Sequence, residues 1–209
     1  MKNEEYLQSL LPPVSKEIKD LEIYAAKHKI PIMEPLGIDF LMQLIRIHKP
    51  RKILEIGTAI GYSALRMLEA YQKAEIITIE RDSVRYEEAK KNFNTFDKEK
   101  QIHLIHGDAL DVKDEVVNSG LFDLIFIDAA KGKYEEFFNL YAPLLKDSGI
   151  IVSDNVLFKG AVAHPEEAPE RLQKLACKVR TFNQLLKDNN YYHTSIVPIG
   201  DGVAITVKA

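Results

Sequence analysis

The stretch that decides the fold is Ile53-Leu54-Glu55-Ile56-Gly57-Thr58-Ala59-Ile60-Gly61-Tyr62-Ser63. It reads as a short apolar strand, a tight turn and the start of a helix, a unit in which ligands bind beyond the carboxyl end of the strand. Gly57 permits a ligand to approach the backbone, and Gly61 permits close packing of the helix. The fingerprint G-x-G-x-x-G is incomplete, because Ala59 occupies the position of its second glycine. Since that glycine admits a pyrophosphate, we expect a nucleoside ligand without one.

Short isoleucine-rich runs alternate with helical patterns beyond this stretch. The predicted strands are 52–56, 75–79, 102–105, 122–127, 150–153, 192–198 and 203–207. Their alternation with helices predicts a parallel sheet covered on both faces. The turn Gly200-Asp201-Gly202 predicts that the last two strands form an antiparallel hairpin. The predicted fold class is therefore α/β, a Rossmann-like seven-stranded, mostly parallel sheet with an antiparallel C-terminal strand.

Helical patterns also precede and follow the strands. Residues 1–50 have helical periodicity and predict an N-terminal helical extension within the domain. Three apolar stripes recur at helical spacing: Ile18, Leu21 and Ala25; Phe40, Leu44 and Ile47; and Leu172, Leu175, Val179, Phe182 and Leu186 on a helix over 169–187. Cys177 lies in this last helix, and we expect it to be a buried core thiol.

The composition limits the class of protein. The chain has 209 residues, of which 46% are hydrophobic, and this predicts a single globular domain over 1–209. The net charge of −3 indicates neither a nucleic-acid nor a membrane partner, although a local basic patch is compatible with it. No apolar run approaches the roughly 18 residues of a membrane span, and residues 1–11 lack a signal-peptide core. We therefore expect a cytoplasmic protein without a membrane partner.

Acidic residues follow the second and third predicted strands. A carboxylate at Glu80 is placed to accept hydrogen bonds from both hydroxyls of a ribose. Asp108 and the Ala109 amide are placed to frame an adenine. A lone acid after a strand is usually a solvated strand end, but this order along one sheet favours a nucleoside site.

Further acids end the fourth and fifth strands. Asp128 follows one of them, and Asp154-Asn155 follows the other. Oxygen ligands without histidine or cysteine favour Mg²⁺ or a similar ion. The alternative for Asp154-Asn155 is a turn or a helix cap, but Asp128 at the neighbouring strand end favours the metal.

These motifs together resemble a known family. Glu55-x-Gly57-x-x-x-Gly61 with Glu80 and Asp108 is similar to the pattern of class I S-adenosylmethionine (SAM)-dependent methyltransferases. Asp128 and Lys131 with Asp154-Asn155 resemble the metal and catalytic set of catechol- and caffeoyl-CoA-type O-methyltransferases, and the similarity extends over nearly the whole chain. The resemblance implies SAM and Mg²⁺ or Mn²⁺ as cofactors, and a homodimer.

The same resemblance implies roles for individual residues. Implied cofactor contacts are Met33, Glu55, Gly57, Gly61, Ser63, Glu80, Asp108, Ala109 and Asp128. Implied metal ligands are Asp128, Asp154 and Asn155, with Lys131 as the catalytic base. The chemistry agrees, because a metal-bound hydroxyl loses its proton more readily and a nearby cation favours a neutral amine at Lys131. The alternative for Lys131 is an ordinary solvated lysine.

The acceptor is indicated by a narrower resemblance. Pro31-Ile32-Met33-Glu34, the segments 128–132 and 154–160, and Gly200-Asp201-Gly202 resemble the bacterial tRNA 5-hydroxyuridine methyltransferases. That branch implies the tRNA anticodon loop as partner, where an unpaired base enters a pocket at low cost. A basic rim is compatible with it, as is an ordinary solvated helix face: Lys131, Lys133, Lys159, Arg171, Lys174 and Lys178.

Three alternatives remain open. The nearest is a small-molecule O-methyltransferase acting on catechols or other vicinal oxygens. The second is a nicotinamide-dependent oxidoreductase, against which Ala59 and the oxygen ligands argue. The third is a non-catalytic SAM-binding module, which has no need of Lys131 beside three metal ligands.

Overall fold

Seven strands form one sheet: Lys52–Ile56 (β1), Glu75–Glu80 (β2), Ile102–His106 (β3), Phe122–Ile127 (β4), Leu145–Ser153 (β5), Tyr192–Val197 (β6) and Val203–Lys208 (β7). Their order across the sheet is β3-β2-β1-β4-β5-β7-β6. β1 to β5 are mutually parallel, whereas β7 runs antiparallel to both β5 and β6. The predicted fold class is confirmed.

The structure, a computed structural model, describes residues 3–209 except for the side chain of Lys159. Its helices are Asn3–Ser9 (α1), Lys16–His28 (α2), Pro35–His48 (α3), Tyr62–Ala70 (α4), Ser83–Phe96 (α5), Lys113–Asn118 (α6), Tyr134–Tyr141 (α7) and Glu170–Asp188 (α8). Short 3₁₀ turns lie at Lys131–Lys133, Ala142–Leu144, Phe158–Gly160 and Pro165–Glu167. None of the helices within the described range is long and apolar enough to cross a membrane.

Helices cover both faces of the sheet because successive strand side chains point to opposite sides. Ile53 belongs to the apolar layer beneath α2 to α5, and its neighbour Leu54 to the layer beneath α6 to α8. The chain leaves β1 toward β2 and β3, and leaves β4 toward β5. The boundary between β1 and β4 is therefore the switch point at which such sheets bind ligands.

Periodicity does not identify the buried face of α3, and the prediction of a buried Cys177 is wrong. In α3, Phe40 and Leu44 are only partly buried and Ile47 is 71% exposed, whereas Leu41 and Ile45 lie in the core. Both stripes have the helical period, so periodicity alone does not decide which one meets the sheet. Cys177 is exposed rather than buried, because α8 turns the adjacent Ala176 toward the core.

One strand boundary differs from the prediction by more than a single residue. β5 begins at Leu145 instead of 150, so the polar segment 146–149 is part of the strand. The ladder between β4 and β5 has a register shift between Phe122 and Leu124. Such an irregularity breaks the apolar pattern by which a strand is recognised in sequence.

Candidate functional site

A cavity of about 270 Å³ opens at the carboxyl ends of the strands around the switch point. One part, here called the β1–β3 half, contains Met33, Gly57, Ser63, Glu80, Asp108 and Ala109. The other part, the β4–β5 half, contains Asp128, Lys131, Asp154 and Asn155. The structure thus brings together all the predicted site residues except Glu55 and Gly61, which do not line the cavity.

The glycine turn brings three strand ends together. Gly57 has a φ of 103°, and a Cβ atom there would overlap the carbonyl oxygen of Asp128. The backbone amides of Gly57 and Thr58 both donate hydrogen bonds to the carbonyl of Ile79, each at a distance of 3.1 Å.

Gly61, at the start of α4, has a φ of 86°, and a Cβ atom there would overlap the ring of Phe93. These glycines are therefore required for the approach of neighbouring chain segments, and Gly57 remains on the cavity wall.

Glu80, the last residue of β2, stabilises the glycine turn that follows β1. Its carboxylate accepts hydrogen bonds from the backbone amides of Ala59 at 2.7 Å and Asp82 at 2.8 Å. The residue is buried yet lines the cavity. Because each carboxylate oxygen has a further lone pair, Glu80 still offers acceptors to a ligand.

Glu55 lies behind the cavity wall. It is fully buried and accepts hydrogen bonds from the hydroxyls of Ser63 and Thr78. Burial raises the pKa of Glu55 to about 7, against the effect of these two hydrogen bonds. Since Ser63 lines the cavity and Glu55 does not, Glu55 reaches the site through the hydroxyl that it orients.

Two arginines at the cavity were not recognised from the sequence. Arg81 lies 3.3 Å from the Asp108 carboxylate, and Arg85 lines the wall one helical turn further on. Asp108 also accepts a hydrogen bond from the Leu110 amide at 3.0 Å. Arg81 follows Glu80 directly, so its place after β2 was the available signal.

The β4–β5 half places two carboxylates at adjacent strand ends. The backbone amide of Asp128 donates a hydrogen bond to the carbonyl of Ile56, and that of Asp154 donates to the carbonyl of Ile127, each at a distance of 3.0 Å. Burial raises the pKa of Asp128, while burial and the neighbouring Asp128 raise the pKa of Asp154 to about 7. The charge of Lys131 lowers the pKa of both carboxylates, but it offsets the effect of burial only in part. A buried acid, Asp154, beside a half-buried one, Asp128, is costly unless a cation lies between them.

Asn155 and Lys131 complete this half. Asn155 has a φ of 56°, and its Oδ1 accepts a hydrogen bond from the Lys131 ammonium at 2.6 Å. The Oδ1 atom retains a second lone pair. Two carboxylates and one amide oxygen form a hard donor set that fits Mg²⁺ or Mn²⁺.

The loop after β5 is fixed from two sides. The amide of Val156 donates to Gly202 at 3.0 Å, and that of Leu157 to Asp201 at 2.8 Å. From α8, the side chain of Asn183 donates to the Val156 carbonyl at 2.7 Å. Sequence reasoning missed Asn183, because a single asparagine within a helix gives no signal of a distant partner.

The predicted basic rim is present in part. The Lys178 ammonium lies 3.3 Å from the Gly132 carbonyl, which brings it beside the turn that carries Lys131 and Lys133. Lys133 forms an ion pair with Glu136 at 2.9 Å, so the rim has mixed charge. Two further members, Arg171 and Lys174, are exposed on α8. The Lys159 side chain lies outside the part of the chain that the structure describes.

Comparison with known proteins identifies the family. A family model described as O-methyltransferase matches residues 11–209. The chain belongs to the O-methyltransferase family. This membership confirms the prediction of a SAM-dependent O-methyltransferase, and the family is the one that the strand-end motifs resemble.

Individual relatives agree with this assignment. A catechol O-methyltransferase from Niastella koreensis is 32% identical over 176 residues, which cover 80% of this chain and 78% of the relative. A crystal structure from Staphylococcus aureus, provisionally described as a caffeoyl-CoA O-methyltransferase, is 37% identical with a TM-score of 0.91 and covers 99% of both chains. The S-adenosylhomocysteine (SAH)-bound methyltransferase PaMTH1 from Podospora anserina shares the fold at 24% identity, with a TM-score of 0.87 and coverage of 100% of this chain and 97% of that one.

Proposed function

We propose that this O-methyltransferase transfers the methyl group of SAM to a hydroxyl group that is held by Mg²⁺ or Mn²⁺. The observation that carries the proposal is the continuity of one cavity from Glu80 and Asp108 to Asp128, Asp154 and Asn155. Methyl transfer requires the acceptor oxygen in line with the sulfur–methyl bond, so donor and acceptor sites must share one space.

The β1–β3 half is the proposed SAM site. Glu80 offers carboxylate oxygens to the ribose hydroxyls, and Asp108 with the Ala109 amide frames the adenine. Met33 and Ser63 line the remaining wall. This assignment requires no rearrangement of Glu80, because its hydrogen bonds from two backbone amides already fix its position.

The β4–β5 half is the proposed metal and acceptor site. Asp128, Asp154 and Asn155 would hold the cation, which when bound favours the ionised form of a nearby hydroxyl. Lys131 is the proposed base, since its amine already lies within hydrogen-bonding distance of Asn155. Asn155 thereby orients the nitrogen that receives the proton.

The proposed acceptor is 5-hydroxyuridine in the anticodon loop of tRNA, which would become 5-methoxyuridine. The 5-hydroxyl and the neighbouring 4-oxo oxygen would chelate a cation as the two oxygens of a catechol do. Support comes from the resemblance of segments 128–132 and 154–160 to the tRNA-modifying branch. The cationic groups of Lys133 and Lys178 beside the cavity suit a phosphate-bearing acceptor.

A small catechol is the second candidate acceptor. The relative from Niastella koreensis, described as a catechol O-methyltransferase, favours it. The ion pair between Lys133 and Glu136 also reduces the positive charge available to RNA. Both candidates place two vicinal oxygens in the same site, so they differ only in what surrounds these oxygens.

Nucleoside mass spectrometry of tRNA separates the two candidates. In a deletion strain, the tRNA reading predicts that 5-hydroxyuridine replaces 5-methoxyuridine, and that the cloned gene reverses the change. Unchanged nucleosides, together with purified enzyme that methylates catechol but not hypomodified tRNA, would establish the small-molecule reading. Salt adds a second criterion, because methylation of tRNA should weaken as salt rises while that of a neutral catechol should not.

A further inference from the structure

Helix α7 carries two buried tyrosines on one face, seven residues apart. Tyr134 is 1% exposed and Tyr141 is fully buried. Seven residues are about two helical turns, or roughly 10 Å along the axis. The two hydroxyls are therefore directed at different parts of the carboxyl edge of the sheet.

The hydroxyl of Tyr134 reaches the β4–β5 half. It donates to the backbone carbonyl of Asp154 at 2.9 Å, one residue before Asn155. Its ring packs edge-on against Phe182 of α8 at a centroid distance of 5.5 Å. Without this donor the buried carbonyl of Asp154 would be unsatisfied, so the bond restrains the backbone of Asp154.

The hydroxyl of Tyr141 reaches the β1–β3 half. It donates to the backbone carbonyl of Ala109 at 2.5 Å. Ala109 and its neighbour Asp108 line the cavity at the proposed adenine position. Neither tyrosine hydroxyl belongs to the sequence motifs from which the site was predicted, and neither residue was assigned a role there.

We propose that Tyr134 and Tyr141 are positioning residues that act on separate ligands: Tyr134 fixes the metal-binding segment Asp154-Asn155, and Tyr141 fixes the adenine-binding segment Asp108-Ala109. This inference rests on the proposed function, since it assigns Asp154-Asn155 to a cation. A single rigid helix thus sets the distance between the two halves of the cavity. The separation matters because the methyl group must reach an oxygen held at the other half.

The test is a crossed pair of conservative variants, Tyr134→Phe and Tyr141→Phe. Each removes one oxygen atom and keeps the buried ring, and circular dichroism with thermal unfolding verifies the fold. Binding of Mn²⁺ is measured by electron paramagnetic resonance, and binding of SAH by isothermal titration calorimetry. Neither readout depends on turnover, so a change in the chemical step does not affect them.

Each variant should change the affinity for one ligand. Tyr134→Phe is expected to weaken Mn²⁺ binding by about tenfold, the lower end for groups that orient metal ligands, with SAH binding changed less than about twofold. Tyr141→Phe is expected to weaken SAH binding by about fivefold, the loss of about one net hydrogen bond, with Mn²⁺ binding unchanged. In both variants the rings should still pack, and the secondary structure should match that of the wild type.

Two results would overturn the inference in distinguishable ways. If the wild type binds Mn²⁺ and both variants retain wild-type affinities, or each weakens both ligands equally, the separate positioning roles are wrong while the proposed function stands. If the wild type binds no Mn²⁺ and is fully active in EDTA, the metal site is wrong and the role of Tyr134 falls with it.

Discussion

The two halves of the cavity contain the same kind of group, a carboxylate near a strand end, in different hydrogen-bonding environments. In the β1–β3 half, the Glu80 carboxylate accepts hydrogen bonds from two backbone amides. The Glu55 carboxylate, behind the cavity wall, accepts hydrogen bonds from two hydroxyl groups. In the β4–β5 half, burial and repulsion from Asp128 raise the pKa of Asp154 to about 7, and the charge of Lys131 offsets this only in part. The carboxylates of the first half are thus satisfied by the protein, whereas those of the second form the site that we propose for a cation.

The largest effect is expected from Asp154→Ala, which removes one of the two carboxylates of the β4–β5 half. Turnover should fall on the order of 10³-fold, because metal coordination supplies several kcal/mol of charge stabilisation. SAH affinity, measured by calorimetry, should change less than about twofold. The matched control is Asp147→Ala, which removes an exposed acid of the same strand that pairs with Lys208. A loss of SAH binding as large as the loss of turnover would contradict the division into two halves.

Lys131→Ala should have the next largest effect. The maximal rate is expected to fall by about 10²-fold, the lower end of the range for a positioned acid or base. The affinity for SAH should be nearly unchanged, because Lys131 donates to Asn155 of the β4–β5 half. Lys208→Ala, at the far end of β7, serves as the control. If calorimetry instead shows that Lys131→Ala mainly weakens SAH binding, Lys131 is not a base.

Glu80→Gln tests the β1–β3 half alone. A glutamine cannot accept the hydrogen bonds of both the Ala59 and the Asp82 amides, because one of the two carboxylate oxygens is replaced by an NH₂ group, which is a donor. We expect SAH affinity to fall by about 10 to 100-fold, the loss of one or two charge-assisted hydrogen bonds. Mn²⁺ binding should stay at the wild-type value. Equal weakening of Mn²⁺ binding would show that the two halves are not independent.

The smallest effect on turnover is expected at Glu55, which does not line the cavity. Its pKa is raised from 4.5 to about 7 by burial, so the folded state holds a proton that the unfolded state releases. Wild-type stability therefore decreases as pH rises from 4.5 through 7. Relative to the wild type, Glu55→Gln should gain up to about 3 kcal/mol in free energy of unfolding across this range. Chemical denaturation at several pH values checks this, and parallel curves for the two proteins would refute the assignment.

Much of the site was predictable because parallel strands end at one edge of a sheet. Asp128 and Asp154 each follow an apolar strand directly, so their proximity to each other follows from the adjacency of the two strands. The bounds of β1 and β4 match the prediction because these strands are central and mostly apolar.

The rest depends on contacts that the sequence does not encode locally. Tyr134, Tyr141 and Asn183 act on backbone carbonyls 20 to 32 residues away along the chain. Ile47 fits an apolar helical stripe and Cys177 lies in an amphipathic helix, but the rotation of a helix on its sheet is decided by packing. Residues of this kind become recognisable only when the tertiary structure is known.

Chelation tests the central claim most directly. The purified enzyme is treated with EDTA, freed of chelator, and assayed for initial rate on tRNA and on catechol with and without added Mg²⁺ or Mn²⁺. The account predicts that activity is lost without metal and restored by either ion, while SAH affinity stays the same throughout. A full rate in excess EDTA would contradict the metal-dependent mechanism.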